Sequence, residues 1–441
     1  MRIAIGWMVA CGAVWLAAAW NHHAAAADWP RFRGPNGSGI AGDDVVPPTT
    51  WSPTENLRWK VPLPGEGVSC PIVVGDRVVV TTYAGYGFEP GTQLDLVRRI
   101  ICLDRATGRE LWRREVEATL PEDAFSGAGV PAHGYASHTP VTDGERIYAF
   151  FGKSGVHAFT LDGEPVWKAE VGTDSDPRRW GSSSSPIVVD GVVIVAAGPE
   201  RRAIVGLDAA TGRELWSADA EQLGNLWGTP AVIAGGDRTD VVLGTPGEIW
   251  ALNPLTGGLR WFATGPGADG FNTSVVVADG IVYAVEGRSG GSLAVRGGGK
   301  GDVNASHVVW NGRDANRFGT PVVTGGRLAF VANGVLTCLD ATTGEKLHQE
   351  RLPATDEGGG GGGGFFGGRG DYTSPVVAGG RLYYLTAGGS THVIDLDDGL
   401  ASLAINRVTD DDEVFAATPA ISDGDIFLRS NRHLYCVSAK R

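Results

Sequence analysis

The sequence predicts an all-β fold, an eight-bladed β-propeller of four-stranded antiparallel blades whose last blade is closed by an N-terminal strand. Three observations predict it. Gly supplies 67 of 441 residues, about twice the usual ~7%, and is spread along the chain. A hairpin phrase recurs eight times at a spacing near 45 residues. A second phrase, ending in Trp, closes most of those units.

Gly and the 24 Pro interrupt helix interiors, which excludes a helical bundle or coiled coil. The glycines have no three-residue period, which excludes collagen. At 42% hydrophobic and 20% charged residues the chain can bury a core, so it is not globally disordered. The net charge of −13 gives no general attraction to nucleic acid.

Residues 1–27 read as an export signal, with Arg2, an apolar run from Ile3 to Ala19, and Ala24 to Ala27 before a cleavage point near Ala27. An uncleaved anchor is the alternative. The run is short of the ~20 residues a membrane-spanning helix needs, and no later segment reaches that length. Cys11 after Met8-Val9-Ala10 resembles a lipoprotein cleavage box, but the apolar stretch before it is too short. Residues 28–51 form an N-terminal arm, and residues 52–441 the propeller. Three of the four remaining cysteines, Cys102, Cys338 and Cys436, sit in alternating apolar runs. They and Cys70 read as buried thiols, with one disulfide as the alternative.

The first phrase begins at Cys70-Pro71, Thr139-Pro140, Ser185-Pro186, Thr229-Pro230, Thr273-Ser274, Thr320-Pro321, Ser374-Pro375 and Thr418-Pro419. The second positions are spaced by 69, 46, 44, 44, 47, 54 and 44 residues. Each copy is a short apolar strand, a turn and an alternating strand. Asp143-Gly144, Asp190-Gly191, Asp279-Gly280, Gly325-Gly326, Gly379-Gly380 and Asp423-Gly424 occupy the turns, where two-residue hairpins require positive φ. Pro before the first strand costs no ladder hydrogen bond.

The second phrase runs Leu103-Asp104 to Thr107-Gly108 to Trp112, and recurs at Leu161 to Trp167, Leu207 to Trp216 and Leu252 to Trp261. It predicts a third strand, an Asp/Gly turn and a fourth strand whose Trp packs between neighbouring blades. Trp310 ends the fifth unit. His348 and Leu403 stand where the sixth and seventh units would have Trp. The eighth unit stops one strand short, and Asn56 to Val61, carrying Trp59, supplies the missing strand. Pairing the two ends closes the ring and removes both edges. The structural Trp set is therefore Trp59, Trp112, Trp167, Trp216, Trp261 and Trp310.

The motif Leu-Asp-x-x-Thr-Gly-x-x-x-Trp resembles the pyrroloquinoline-quinone (PQQ)-like propeller repeat, over about Trp51 to Arg441. That family includes quinoprotein alcohol dehydrogenases and the non-enzymatic, BamB-like factors of outer-membrane barrel assembly. Trp29-Pro30-x-Phe32-Arg33-Gly34-Pro35 also resembles the mature start of some exported bacterial members, and an ordered arm across the propeller is expected. For an enzyme the resemblance implies an adjacent cysteine pair, Ca²⁺ held by Glu, Asn and Asp, and an Asp base. The chain has no Cys-Cys pair and no Cys-x-x-Cys-His, and no calcium-ligand set aligns to it. The Asp410-Asp411-Asp412-Glu413 cluster reads as a solvated loop.

Other motifs read as structural. Gly287-Arg288-Ser289-Gly290-Gly291 has the Gly-x-Ser-x-Gly pattern but falls in a strand–strand turn. Gly297 to Asp302 lacks the Ser or Thr of a phosphate loop. No histidine spacing suits zinc, and after the export signal His133 and His138 are the only close pair. Residues 357–370 hold seven consecutive glycines and predict a mobile loop; Arg369-Gly370-Asp371 at its end is coincidental.

Three residues before each repeat's second position stand Val68, Ser137, Ser183, Trp227, Phe271, Phe318, Tyr372 and Ala416. They precede the innermost strands and should ring one mouth of the central channel. Arg178, Arg179, Asn225, Asn272 and Arg317 lie close by. This aromatic funnel reads either as a ligand or partner site or as a plug of the channel. The function expected from the sequence and its resemblance is an exported, non-catalytic interaction scaffold of the bacterial cell envelope. It is expected to be monomeric, to bind envelope proteins or peptides, and to carry no cofactor, no catalytic residue and no metal site. The alternatives are a PQQ- and Ca²⁺-dependent oxidoreductase with a divergent site and a carbohydrate-binding propeller.

Overall fold

The computed structural model describes residues 28–42, 44–86, 95–125, 129–235, 238–267, 269–287, 290–353, 372–397 and 399–439. The expected export signal, the glycine tract with Asp371, and Arg288 and Ser289 lie outside the described residues.

Eight antiparallel sheets stand in a ring. Blade 1 runs outward through strands Ile72–Val74, Arg77–Ala84, Val97–Asp104 and Glu110–Glu117. Blades 2 to 8 repeat this from inner strands beginning at Val141, Ile187, Ala231, Val276, Val322, Val376 and Ala420. The inner hairpins turn where the Gly-rich dipeptides predict. Asp190-Gly191, for example, has φ of 49° and 76°, the mirror-image turn that matches strand twist.

The outer turns follow one local rule. Asp104 Oδ1 accepts the Thr107 N–H at 2.9 Å and its hydroxyl at 2.6 Å, while Gly108 takes φ +72°. A bulge after Cys102 then places Trp112 opposite it. The Trp indole reaches across the blade gap: Nε1 of Trp112 donates to Leu161 O at 2.9 Å. Trp59, Trp167, Trp216 and Trp310 do the same to Arg105, Ala209, Pro254 and Ala341. Trp261 departs from the rule, donating to Asp240 of its own blade at 3.1 Å.

Ring closure is as the repeat count requires. Leu57–Pro62 pairs with His433–Val437, with Trp59 opposite Cys436. The four cysteines described are all free and buried, so the disulfide alternative is set aside.

Four expectations are corrected. Blade 4 has a fifth strand, Gly301–Asp302, which pairs in parallel with Leu259–Thr264; the Gly297 to Asp302 segment is thus an edge cover. In blade 7 the turn is one residue longer, Leu400 takes φ +65°, and the Trp position opposite Val393 is Ala404, not Leu403. In blade 5 the repeat position is Ser274-Val275, not Thr273-Ser274, because Val replaces Pro. Lastly, Glu413 is not solvated: it is buried and accepts from Tyr435 Oη and His433 Nδ1, each at 2.8 Å.

Candidate functional site

A belt of hydroxyls circles the channel at the head of the inner strands. The N–H of Cys70 donates to Thr139 Oγ1 at 2.9 Å, Thr139 to Ser185 at 2.9 Å, and Ser185 to Thr229 at 3.0 Å. The chain continues through Ser274, Thr320, Ser374 and Thr418 at 2.9 to 3.1 Å. The Thr418 N–H closes the circle on the Cys70 sulfur. Every blade is thus linked to the next by a backbone donor and a side-chain acceptor. Each hydroxyl oxygen accepts one backbone N–H, and its own O–H remains a donor.

The arm closes the channel below. Trp29 bridges Val73, and Ile40 bridges Val377. Arg31 donates to Pro230 O at 2.5 Å, and Arg33 to Pro321 O at 2.7 Å and Pro375 O at 3.3 Å. Burial pushes both guanidinium groups down, to about 10 and about 9. Phe32, between them, forms the floor of a cup.

That cup has a volume of about 170 Å³. Its wall is the belt, and its rim carries Trp180, Trp227, Phe318 and Tyr372 with His133 and Asn272. The aromatic rings stand in two pairs. Trp180 and Trp227 have ring centroids 5.5 Å apart, and Phe318 and Tyr372 4.5 Å. An arginine caps each pair: Arg178 lies 5.4 Å from the Trp180 ring, and Arg317 5.0 Å from Phe318. Both distances fit cation–π attraction. Trp227 is fixed by donation from Nε1 to Gly181 O at 2.8 Å. Burial lowers the pKa of His133. Its Nε2 lies 2.7 Å from Trp180 O, so that nitrogen carries the proton of the neutral ring.

Of the mouth residues expected from sequence, Val68, Ser137, Ser183, Trp227, Phe318, Tyr372 and Ala416 do line the cup, as does Asn272. Phe271 does not. It is fully buried against Gly244 in the blade 4 and 5 core, because the one-residue register error at Ser274-Val275 moves Asn272 into its place. Asn225 lies behind the rim, its carbonyl accepting from Phe271 N at 3.1 Å. Arg179 turns away to Asp123 at 3.5 Å. The sequence reading missed Trp180, Phe32, His133 and the belt. Only the belt had a signal: Ser or Thr opens seven of the eight repeats.

The donor set of this lining is hydroxyl, thiol, imidazole and amide, with no carboxylate among the described lining residues. Ca²⁺ requires oxygen ligands, mostly carboxylates, so a quinone–calcium pair does not fit this wall. No group of three His, Cys, Asp or Glu suited to a metal ion occurs among the described residues. No helix among them is long and apolar enough to cross a membrane.

Known proteins resemble this chain in fold and, weakly, in sequence. An outer membrane protein assembly factor BamB from Nitrosomonas eutropha is 29% identical over 174 residues, which is 38% of this chain and 34% of that protein. The Yersinia pestis BamB is 22% identical over 356 residues, 69% of this chain and 84% of that one. The BamB crystal structure from Moraxella catarrhalis superposes with a TM-score of 0.61 at 14% identity, covering 87% of this chain and 98% of that chain. A quinohemoprotein alcohol dehydrogenase from Pseudomonas putida gives 0.59 at 12% identity, covering 94% and 81%. At such identities the structures speak for the fold alone. The family profile described as outer membrane protein assembly factor BamB matches residues 49–175, 97–350 and 290–441, which together span the propeller, and the chain belongs to that family.

Proposed function

We propose that this protein is an exported envelope scaffold that holds a protein partner at the aromatic cup. The observation that carries the reading is the rim: two aromatic pairs, each capped by an arginine, above a belt that ties each inner strand to the next. Such a surface gains energy from an apolar or aromatic side chain entering the cup and an acidic group meeting Arg178 or Arg317. The belt hydroxyls each accept one backbone N–H and keep an O–H to donate, so a carbonyl or carboxylate of the partner can be met at the wall as well. The family membership supports an assembly role rather than turnover.

The test is crosslinking of the native protein in its envelope, compared with the Trp227→Ala/Phe318→Ala double variant. The expected result is loss of the crosslinked partner with unchanged far-UV circular dichroism. A partner set identical in both proteins overturns the cup as the docking site. A dehydrogenase would instead show a visible quinone spectrum and dye reduction on addition of PQQ and Ca²⁺.

A further inference from the structure

The gap between blades 6 and 7 differs from its neighbours in a way that the repeat itself makes measurable. In blades 1, 2, 3, 5 and 8 a Trp from the outer strand fills the gap and lies on the next blade's turn glycine. A Cβ added at Gly163 would meet the Trp112 ring at 2.5 Å, and one at Gly344 the Trp310 ring at 2.6 Å. Blade 7 has Ala404 at this position, yet its ring is restored from elsewhere. Trp51, in the arm, stacks on Tyr383 at 6.4 Å. Tyr383 holds the same register in blade 7 that Tyr148 and Tyr283 hold under Trp167 and Trp310. A gap of this propeller therefore accepts a ring that its own blade does not carry.

Blade 6 has neither device. Its Trp position is His348, opposite Cys338. The blade 7 turn, closed from Asp395 N to Ala401 O, is one residue longer, so the place of the turn glycine falls to Leu400, which packs against the blade 6 and 7 core that holds Leu396 and Tyr384. A cavity of about 180 Å³ remains, lined by Ala329, Cys338, Leu396, Arg327 and Asp397 with Thr324. Arg327 donates to Leu396 O, the counterpart of Leu161 O, which accepts from both Arg77 Nε at 3.0 Å and Trp112 Nε1 at 2.9 Å. In size the cavity matches the ~150 Å³ that holds benzene in an apolar cavity, but its wall is part polar, at Thr324, Arg327 and Asp397.

We propose that this gap is a binding site for a small planar aromatic molecule of indole size. The ring would lie between the Ala329–Cys338 wall and the Leu396 turn. A ring N–H would be directed to the Leu396 carbonyl, as the Trp112 indole is to Leu161 O.

The probe is indole, titrated into the full chain by calorimetry. Saturable one-to-one binding is expected. His348→Trp, which sets a ring at the blade 6 Trp position, should weaken it at least tenfold. Ala329→Phe fills the cavity from the opposite wall and should weaken binding equally; it keeps the test valid if His348→Trp fails to fold. Absence of saturable binding, or affinity unchanged in both variants, overturns the proposal. So does loss of binding in Phe318→Ala, which would assign the indole to the cup.

Discussion

A methyl group added at a turn glycine measures whether a ring lies above it. Gly257 has φ +69° and Gly399 has φ +60°, so alanine at either is strained by the left-handed backbone, at about 1–2 kcal/mol. Above that common cost the two sites differ. The new Cβ at Gly257 would sit inside contact distance of Trp216, whereas at Gly399 nothing lies within 4 Å. Trp216 has no retreat, because Gly206 presses on its other face and its Nε1 is tied to Pro254 O at 2.9 Å. Overpacking of this kind adds about 1–3 kcal/mol. Gly399→Ala should therefore destabilise by about 1–2 kcal/mol and Gly257→Ala by roughly 2–5 kcal/mol. Guanidinium unfolding followed by circular dichroism, with equal m-values, gives the difference directly. Equal costs would refute the indole-on-glycine account of blade packing.

Two further outcomes follow from buried groups. Cys70→Ser replaces sulfur by oxygen in the belt and should change stability by less than about 1 kcal/mol, while Cys70→Ala orphans the Thr418 N–H and should cost about 1–3 kcal/mol in the same unfolding assay. Glu200 is pushed by burial from 4.5 up to about 7, so between those values the folded state holds a proton that the unfolded chain releases. Its contribution to stability is complete below pH 4.5 and falls by about 3 kcal/mol as pH rises to 7. His138, pushed down to about 3 by burial, acts oppositely over the range between 3 and its ordinary 6.5. The Glu200 part is thus read as the difference between wild type and Glu200→Gln across that range, and a pH-independent difference would sink it.

The parts of the fold legible in the sequence are those in which one residue type has one physical job. Asp and Gly mark the turns because few other residues accept their geometry, and Trp marks the outer strand because the blade gap is indole-sized. Their spacing alone paired the strand of Trp59 with the last strand of the chain. Legibility failed where a single residue shifts the frame. Val275 in place of Pro left Thr273 and Ser274 as rival starting points, and the wrong choice put Phe271 at the mouth. An extra residue in the blade 7 turn made Leu403 look like the Trp position held by Ala404. The cup was half legible for a related reason. Trp227, Phe318 and Tyr372 belong to the repeat and could be counted, but Trp180, His133 and Phe32 come from a loop, a short helix and the arm, which obey no period.

The N-terminal stretch explains why the two ends of the ring differ. Between Trp29 and Pro62 it supplies a plug, a ring and a strand: Arg31 and Arg33 seal the channel below, Trp51 fills the blade 7 position, and Leu57–Pro62 completes blade 8. A buried guanidinium without a carboxylate partner is costly, and Arg33 is satisfied only in part, by carbonyls of blades 6 and 7 together. That geometry exists only when those blades stand at their final spacing. The arm therefore reports on, and reinforces, the closed ring. Among the described residues the upper mouth has no such seal. Its aromatic pairs lie on loops and strand heads that the belt holds at fixed separation, so the same hydrogen bonds that close the propeller also set the width of the cup.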